Sequence, residues 1–176
     1  MRYRRADAAG GTYFFTVNLA ERSTDLLVRH IDDLREVMAK VKKAHPFALV
    51  AMVVLPEHLH AIWRLPAGDA HYPARWSLLK AGFSRRQEKG ERIRPSREVK
   101  RERGIWQRRY WEHQIRDEAD LARHVDYIHF NPVKHGWVAR PVDWPHSTLH
   151  GHIERGLVSR DWGGHGRDGE GSYGER

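Results

Sequence analysis

The run Phe47–Leu55 is apolar at every position and is bracketed by Pro46 and Pro56. It reads as a central strand covered on one or both faces, not as an exposed edge. Pro56-Glu57 breaks the run and His58–Leu65 resumes it, so the short break predicts a hairpin. Strand alternation then puts His58 and His60 on one face, with Leu59, Ala61 and Trp63 on the other. Two imidazoles side by side suit a divalent ion, which takes neutral ring nitrogens from convergent ligands. In a chain with 13 histidines the pair alone decides little.

The remaining elements fall around that hairpin. Residues 1–10 are polar and basic and read as an arm, with Arg4 and Arg5 available to nucleic acid. Thr12–Leu19 follows Gly10-Gly11, is rich in aromatic and β-branched residues, and predicts a strand. Asp25 is a candidate cap for one helix carrying Leu26, Ile31, Leu34, Val37, Met38 and Val41 at helical spacing, closed by Pro46. Pro73–Gln87 predicts a second helix, and Ile105–Ile115 a strand in which aromatics alternate with Arg108 and Arg109. Such interleaving can stack bases while guanidinium groups hold backbone. Asp117 caps a last helix running to about Phe130. The order strand, helix, strand, strand, helix, strand is βαββαβ, so the fold class is α+β. It predicts a ferredoxin-like sandwich, with an antiparallel sheet, helices on one face, and a C-terminal helix and extension beyond.

Charge narrows the partner. The 176 residues carry 31 Lys and Arg against 23 Asp and Glu, a formal charge of +8, which points toward a polyanion such as nucleic acid. Arg85–Arg103 holds nine Lys and Arg against four Glu and reads as a basic, mobile insert contacting phosphates without base specificity. No apolar run is long enough to span a membrane, and no apolar segment follows the basic residues Met1–Asp7, so neither a membrane span nor a signal peptide is expected. The absence of cysteine excludes disulfides, thiol catalysis and Cys-based zinc sites. A cytoplasmic, nucleoid-associated protein is the simplest expectation. One domain over 11–162 is expected, with the Gly-rich residues 163–176 as a disordered tail.

The last helix supplies the second half of a site. Leu121, Val125 and Ile128 share an apolar stripe, while Asp120, His124, Tyr127 and Asn131 fall within an arc of roughly 60° beside it. Polar groups there belong at the rim of a packing surface, and Pro132 predicts that the helix ends with Asn131 exposed to a site. A tyrosine hydroxyl, with an ordinary pKa of about 10, is a poor nucleophile. A metal that polarises a phosphate oxygen makes its attack feasible. Two histidines plus one amide or carboxylate oxygen would hold such an ion and leave positions open for substrate.

These residues, in this order, resemble the HUH single-tyrosine transposases, and more closely the REP-associated tyrosine transposases. The resemblance is carried by Gly11–Leu19, Val53–His60, Ile105–His113, His124–Gly136 and Asp143–Thr148, and spans roughly residues 3–164. It implies that His58, His60 and Asn131 hold Mg²⁺ or Mn²⁺ and that Tyr127 is the nucleophile. Glu57 and His124 would stand behind the ligands, and Arg4, Arg5, Arg108, Arg109 and Lys134 would contact DNA. The implied reaction cuts single-stranded DNA at hairpins of repetitive extragenic palindromes, leaving a 5′-phosphotyrosine and a free 3′-OH. A monomer is favoured over a dimer. Two alternatives stay open, a nucleic-acid-binding module without chemistry and a metal nuclease that uses water.

Overall fold

Four strands make one antiparallel sheet: β1 (Thr12–Asn18), β2 (Ala48–Val54), β3 (His58–Arg64) and β4 (Trp111–Gln114), in the order β2-β3-β1-β4. The computed structural model describes residues 9–91, 93, 95–100 and 102–163. The expected arm residues Arg4 and Arg5 and the tail beyond Gly163 lie outside them. The expected apolar hairpin is present, and Leu55 N–H closes it on His58 O at 2.9 Å.

Alternation along β1 sorts two cores. Tyr13, Phe15 and Val17 face the crossover helices α2 (Ile31–Ala44) and α3 (Tyr72–Arg86), where Leu34, Val37, Trp76, Leu79 and Phe83 complete the packing. Phe14 faces the other way, with Val53, Ile62 and the helix α5 (Glu118–Lys134) that closes the fold. The α+β sandwich therefore has its crossover helices on one face and the C-terminal helix on the opposite one. The outer edge of β2 is covered by the chain after α5. Val54 N–H donates to His146 O at 2.9 Å, and Thr148 N–H to Met52 O at 2.9 Å. That contact hides an edge which would otherwise offer unpaired backbone to a neighbour.

Several boundaries differ from the sequence expectation. The first helix is two pieces, α1 (Leu26–Arg29) and α2, because His30 departs from helical geometry with φ −113° and ψ 38°. Asp25 makes no side-chain cap; Thr24 Oγ1 accepts from Leu26 N–H instead, at 3.3 Å. The strand expected over Ile105–Ile115 shrinks to β4, with one bridge between Leu19 and Trp106 before it. The helix α5 runs on to Lys134 through Pro132. A proline inside a helix removes a single donor, and the turn beyond resumes with His135 N–H on Asn131 O at 3.0 Å. Asn131 is accordingly buried within the helix, not exposed at its end.

The basic stretch 85–103 is tied back where it is described. It contains the short helix α4 (Pro95–Glu98). Arg103 donates to Ser84 O, to Gln87 O and Glu88 O at 2.7 Å each, and to both oxygens of Glu91. One guanidinium thus satisfies carbonyls that the end of α3 leaves without helical partners. Among the described residues no helix is long and apolar enough to cross a membrane.

Candidate active site

The register of β1 against β3 decides which groups meet. Asn18 lies opposite His58 and Thr16 opposite His60, and all four side chains share the face that α5 covers. His58 and His60 are fully buried, with ring centroids 4.9 Å apart at 83°. In each ring Nδ1 is the anchored nitrogen. His58 Nδ1 is 2.9 Å from Glu57 Oε1 and His60 Nδ1 is 2.8 Å from Thr16 Oγ1. With both Nδ1 atoms protonated and donating, Nε2 carries the lone pair, the tautomer that an oxygen anchor fixes for metal binding.

The donors fit an ion. His58 Nε2 is buried without a hydrogen-bond partner among the described residues, a cost that a cation would relieve. Burial, reinforced by neighbouring His58 and His135, holds His60 well below its ordinary pKa, so its imidazole is neutral as ligation requires. Burial pushes the Glu57 carboxyl up, but the hydrogen bond and charge of His58, together with the charge of Arg22, outweigh it and hold the group below the usual range. Arg22 completes this shell. It donates to Asn18 Oδ1 at 2.9 Å and to Glu57 Oε1 at 3.4 Å.

Helix α5 brings the tyrosine to this pair. Asp117 caps it, accepting from Asp120 N–H at 2.7 Å. Asp120, His124, Tyr127 and Asn131 are all buried, so the arc expected at a rim is turned into the molecule. The Tyr127 ring meets His60 edge-on with centroids 5.3 Å apart. Its hydroxyl oxygen accepts from Lys134 Nζ at 3.1 Å, and burial lowers the Lys134 ammonium below its ordinary range. Lys134, expected at DNA, thus reaches the candidate nucleophile directly. Asn131 follows Tyr127 by one helical turn, and His135 follows by another, its ring centroid 5.2 Å from that of His58. Burial and the facing His58 depress His135 to about 4.

His124 sits elsewhere. Phe14 lies between, with its ring centroid 5.5 Å from that of His60 and 4.9 Å from that of His124. His124 stacks on His113 with centroids 4.7 Å apart, and these two with Asp120 offer ligand-type atoms within 4.8 Å of one another. Arg116 and Arg123 both donate to the Asp120 carboxylate at 3.2 Å. Burial would raise that carboxyl, but His113 and Arg116 hold it well below its ordinary value. The cluster reads as a clasp joining β4 to α5, its charge already compensated. Arg109 is exposed, and Arg108 donates to Glu102 Oε2 at 2.7 Å and Ser96 O at 2.9 Å. His135 and Arg22 were not anticipated. The spacing Tyr127, Asn131, His135 could have found the first, whereas no local pattern marks the second.

No protein-family model matches the chain. It is 46% identical over 162 residues to the REP-associated tyrosine transposase of Escherichia coli K12, covering 92% of this chain and 90% of that protein. A Haemophilus influenzae protein assigned provisionally to the same group is 44% identical over 163 residues, covering 92% of this chain and 93% of its own length. A solved REP-associated tyrosine transposase bound to a REP hairpin superposes with a TM-score of 0.85 at 45% identity, covering 100% of this chain and 98% of that one. Identity at this level over nearly the full length of both relatives shows the family: this chain belongs to the REP-associated tyrosine transposases.

Proposed function

We propose that this transposase is a metal-dependent nuclease and strand transferase for single-stranded DNA at hairpin repeats, acting through a covalent 5′-phosphotyrosine on Tyr127. The observation that carries the reading is the meeting of Tyr127 with His60 while Lys134 holds the tyrosine oxygen. The hairpin as partner comes from the relative solved with one.

His58 and His60, with Asn131, would hold Mg²⁺ or Mn²⁺. When bound, that ion would polarise a phosphate oxygen and stabilise charge on the leaving 3′ oxygen. Lys134 donates to the tyrosine oxygen, so the hydroxyl proton points away from the ammonium and its loss is favoured. Tyr127 Oη bonds to phosphorus, the bond from phosphorus to the 3′ oxygen breaks, and that oxygen takes up a proton as the free 3′-OH. Attack by a 3′-OH on the phosphotyrosine reverses the step and joins strands. Glu57 and Thr16 keep the two imidazoles in the ligating tautomer.

Incubation of end-labelled hairpin DNA with Mn²⁺, resolved on a denaturing gel, tests the proposal. A protein-linked DNA band is expected, lost on chelation and in His58→Ala while hairpin binding persists. Cleavage without that band would favour water as nucleophile, and binding without cleavage would favour a module without chemistry.

A further inference from the structure

The two anchors behind the histidine pair differ in how firmly they are held. Thr16, which faces His60 Nδ1, lies within β1. Glu57, which faces His58 Nδ1, lies in the turn between β2 and β3. Its main chain is fixed there, because Leu19 N–H donates to Glu57 O at 2.8 Å. Its side chain is free to turn unless something holds it, and a carboxylate beside an ion site is drawn toward the cation and away from the imidazole. Arg22 opposes that swing. Nη1 donates to Asn18 Oδ1 at 2.9 Å and Nη2 to Glu57 Oε1 at 3.4 Å. That oxygen is the one 2.9 Å from His58 Nδ1. Asn18 lies opposite His58 in the register, so one guanidinium ties the end of β1 to the residue before β3. The His58 side chain is 1% exposed and that of Arg22 35%, so the fork reaches a buried imidazole from the surface.

We propose that Arg22 is a positioning residue of the metal centre: it holds Glu57 as the outer acceptor of His58 Nδ1–H and so keeps the His58 Nε2 lone pair available to the ion. The fork carries this role and the charge does not. A planar guanidinium spans two acceptors at a fixed spacing, whereas an ammonium is a point donor. Charge alone acts in the opposite sense, since a cation near the site repels a divalent ion. The rival role is a phosphate contact, because Arg22 also borders a cleft of about 640 Å³ with Glu57 and Trp137. A phosphate contact acts only when DNA is present; a positioning residue acts on the protein alone. The inference rests on His58 as a metal ligand and not on Tyr127 as nucleophile.

Arg22→Lys keeps the charge and removes the fork. Titration of the DNA-free protein with Mn²⁺, read from the paramagnetic resonance of the free ion, should show affinity lowered about tenfold, the scale of a lost outer partner. Long-range proton–nitrogen correlation of the imidazoles in the metal-free protein reads the tautomer directly. His58 should carry its proton on Nδ1 in the wild type and share it between both nitrogens in Arg22→Lys, while His60, anchored by Thr16, stays as it was. Glu57→Ala should also weaken Mn²⁺ binding, and adding Arg22→Lys to it should change nothing further, because the fork acts through that carboxylate. Melting curves accompany each variant, and Arg22→Lys decides alone if Glu57→Ala unfolds. A wild-type tautomer and Mn²⁺ affinity in Arg22→Lys, or losses that add in the double variant, would overturn the role. So would a defect of Arg22→Lys confined to hairpin binding in chelator, the mark of a phosphate contact. Equal Mn²⁺ binding by the wild type and His58→Ala would remove the metal reading itself, and the role with it.

Discussion

At Tyr127 the decisive neighbour is a lysine seven positions on, brought back by two helical turns to donate to the phenol oxygen. If Lys134 acts by its charge, Lys134→Gln keeps a donor of similar reach and removes only the cation. Adduct formation should then slow by about tenfold or more in single turnover, with hairpin affinity nearly unchanged. Raising pH should recover part of the loss, because a phenol without its ammonium neighbour ionises at higher pH. A variant that reacts as fast as the wild type across pH would make Lys134 a phosphate contact, the role the family resemblance implies.

At the scale of elements, the sheet holds the two candidate ligands, His58 and His60, because α2 and α3 pack closely behind it. A methyl group at Gly82 of α3 would lie 2.7 Å from Val37 Cγ1 of α2, and a β-branched valine has little rotamer freedom with which to yield. Gly82→Ala should therefore destabilise by about 1–3 kcal/mol in denaturant titration, despite alanine's better helix propensity. A neutral or stabilised variant would show that the two helices separate at no cost. Much of this layer was legible beforehand. Periodicity found the hairpin and the burying faces of α2 and α3, since each face repeats at short range. What the sequence hid depends on tertiary placement. Pro132 argued for a helix end, yet its surroundings bury it and the ladder resumes behind it. The polar arc of α5 looked like a rim, but Asp120 turns inward because His113 of β4, Arg116 ahead of the helix and Arg123 one turn on compensate its charge. Of the candidate ligands, His58 and His60 were readable from alternation alone, whereas the distance of His124 from them required Phe14 to be seen between.

For the whole molecule, several histidines are folded in the neutral state, which sets the direction of acid sensitivity. His129, buried with its Nε2 3.1 Å from Thr148 Oγ1, is lowered to about 3, first by burial and then by His152 and His150. Its folded pKa lies below its unfolded value near 6.5, so the unfolded chain binds the extra proton between those values. Stability is complete above about pH 6.5 and falls as pH drops, by about 2 kcal/mol at pH 5 from His129 alone. Denaturant titrations at pH 7 and pH 5 should show at least that loss, and equal stability at both would contradict neutral burial. The chain as a whole joins a strand-borne histidine pair to a helix-borne tyrosine. The most direct measurement is digestion of the trapped protein–DNA adduct and mass mapping of the modified peptide. The nucleotide should be found on Tyr127, with no adduct from a Tyr127→Phe protein that melts like the wild type. Modification of a different residue, or cleavage by folded Tyr127→Phe, would contradict the account.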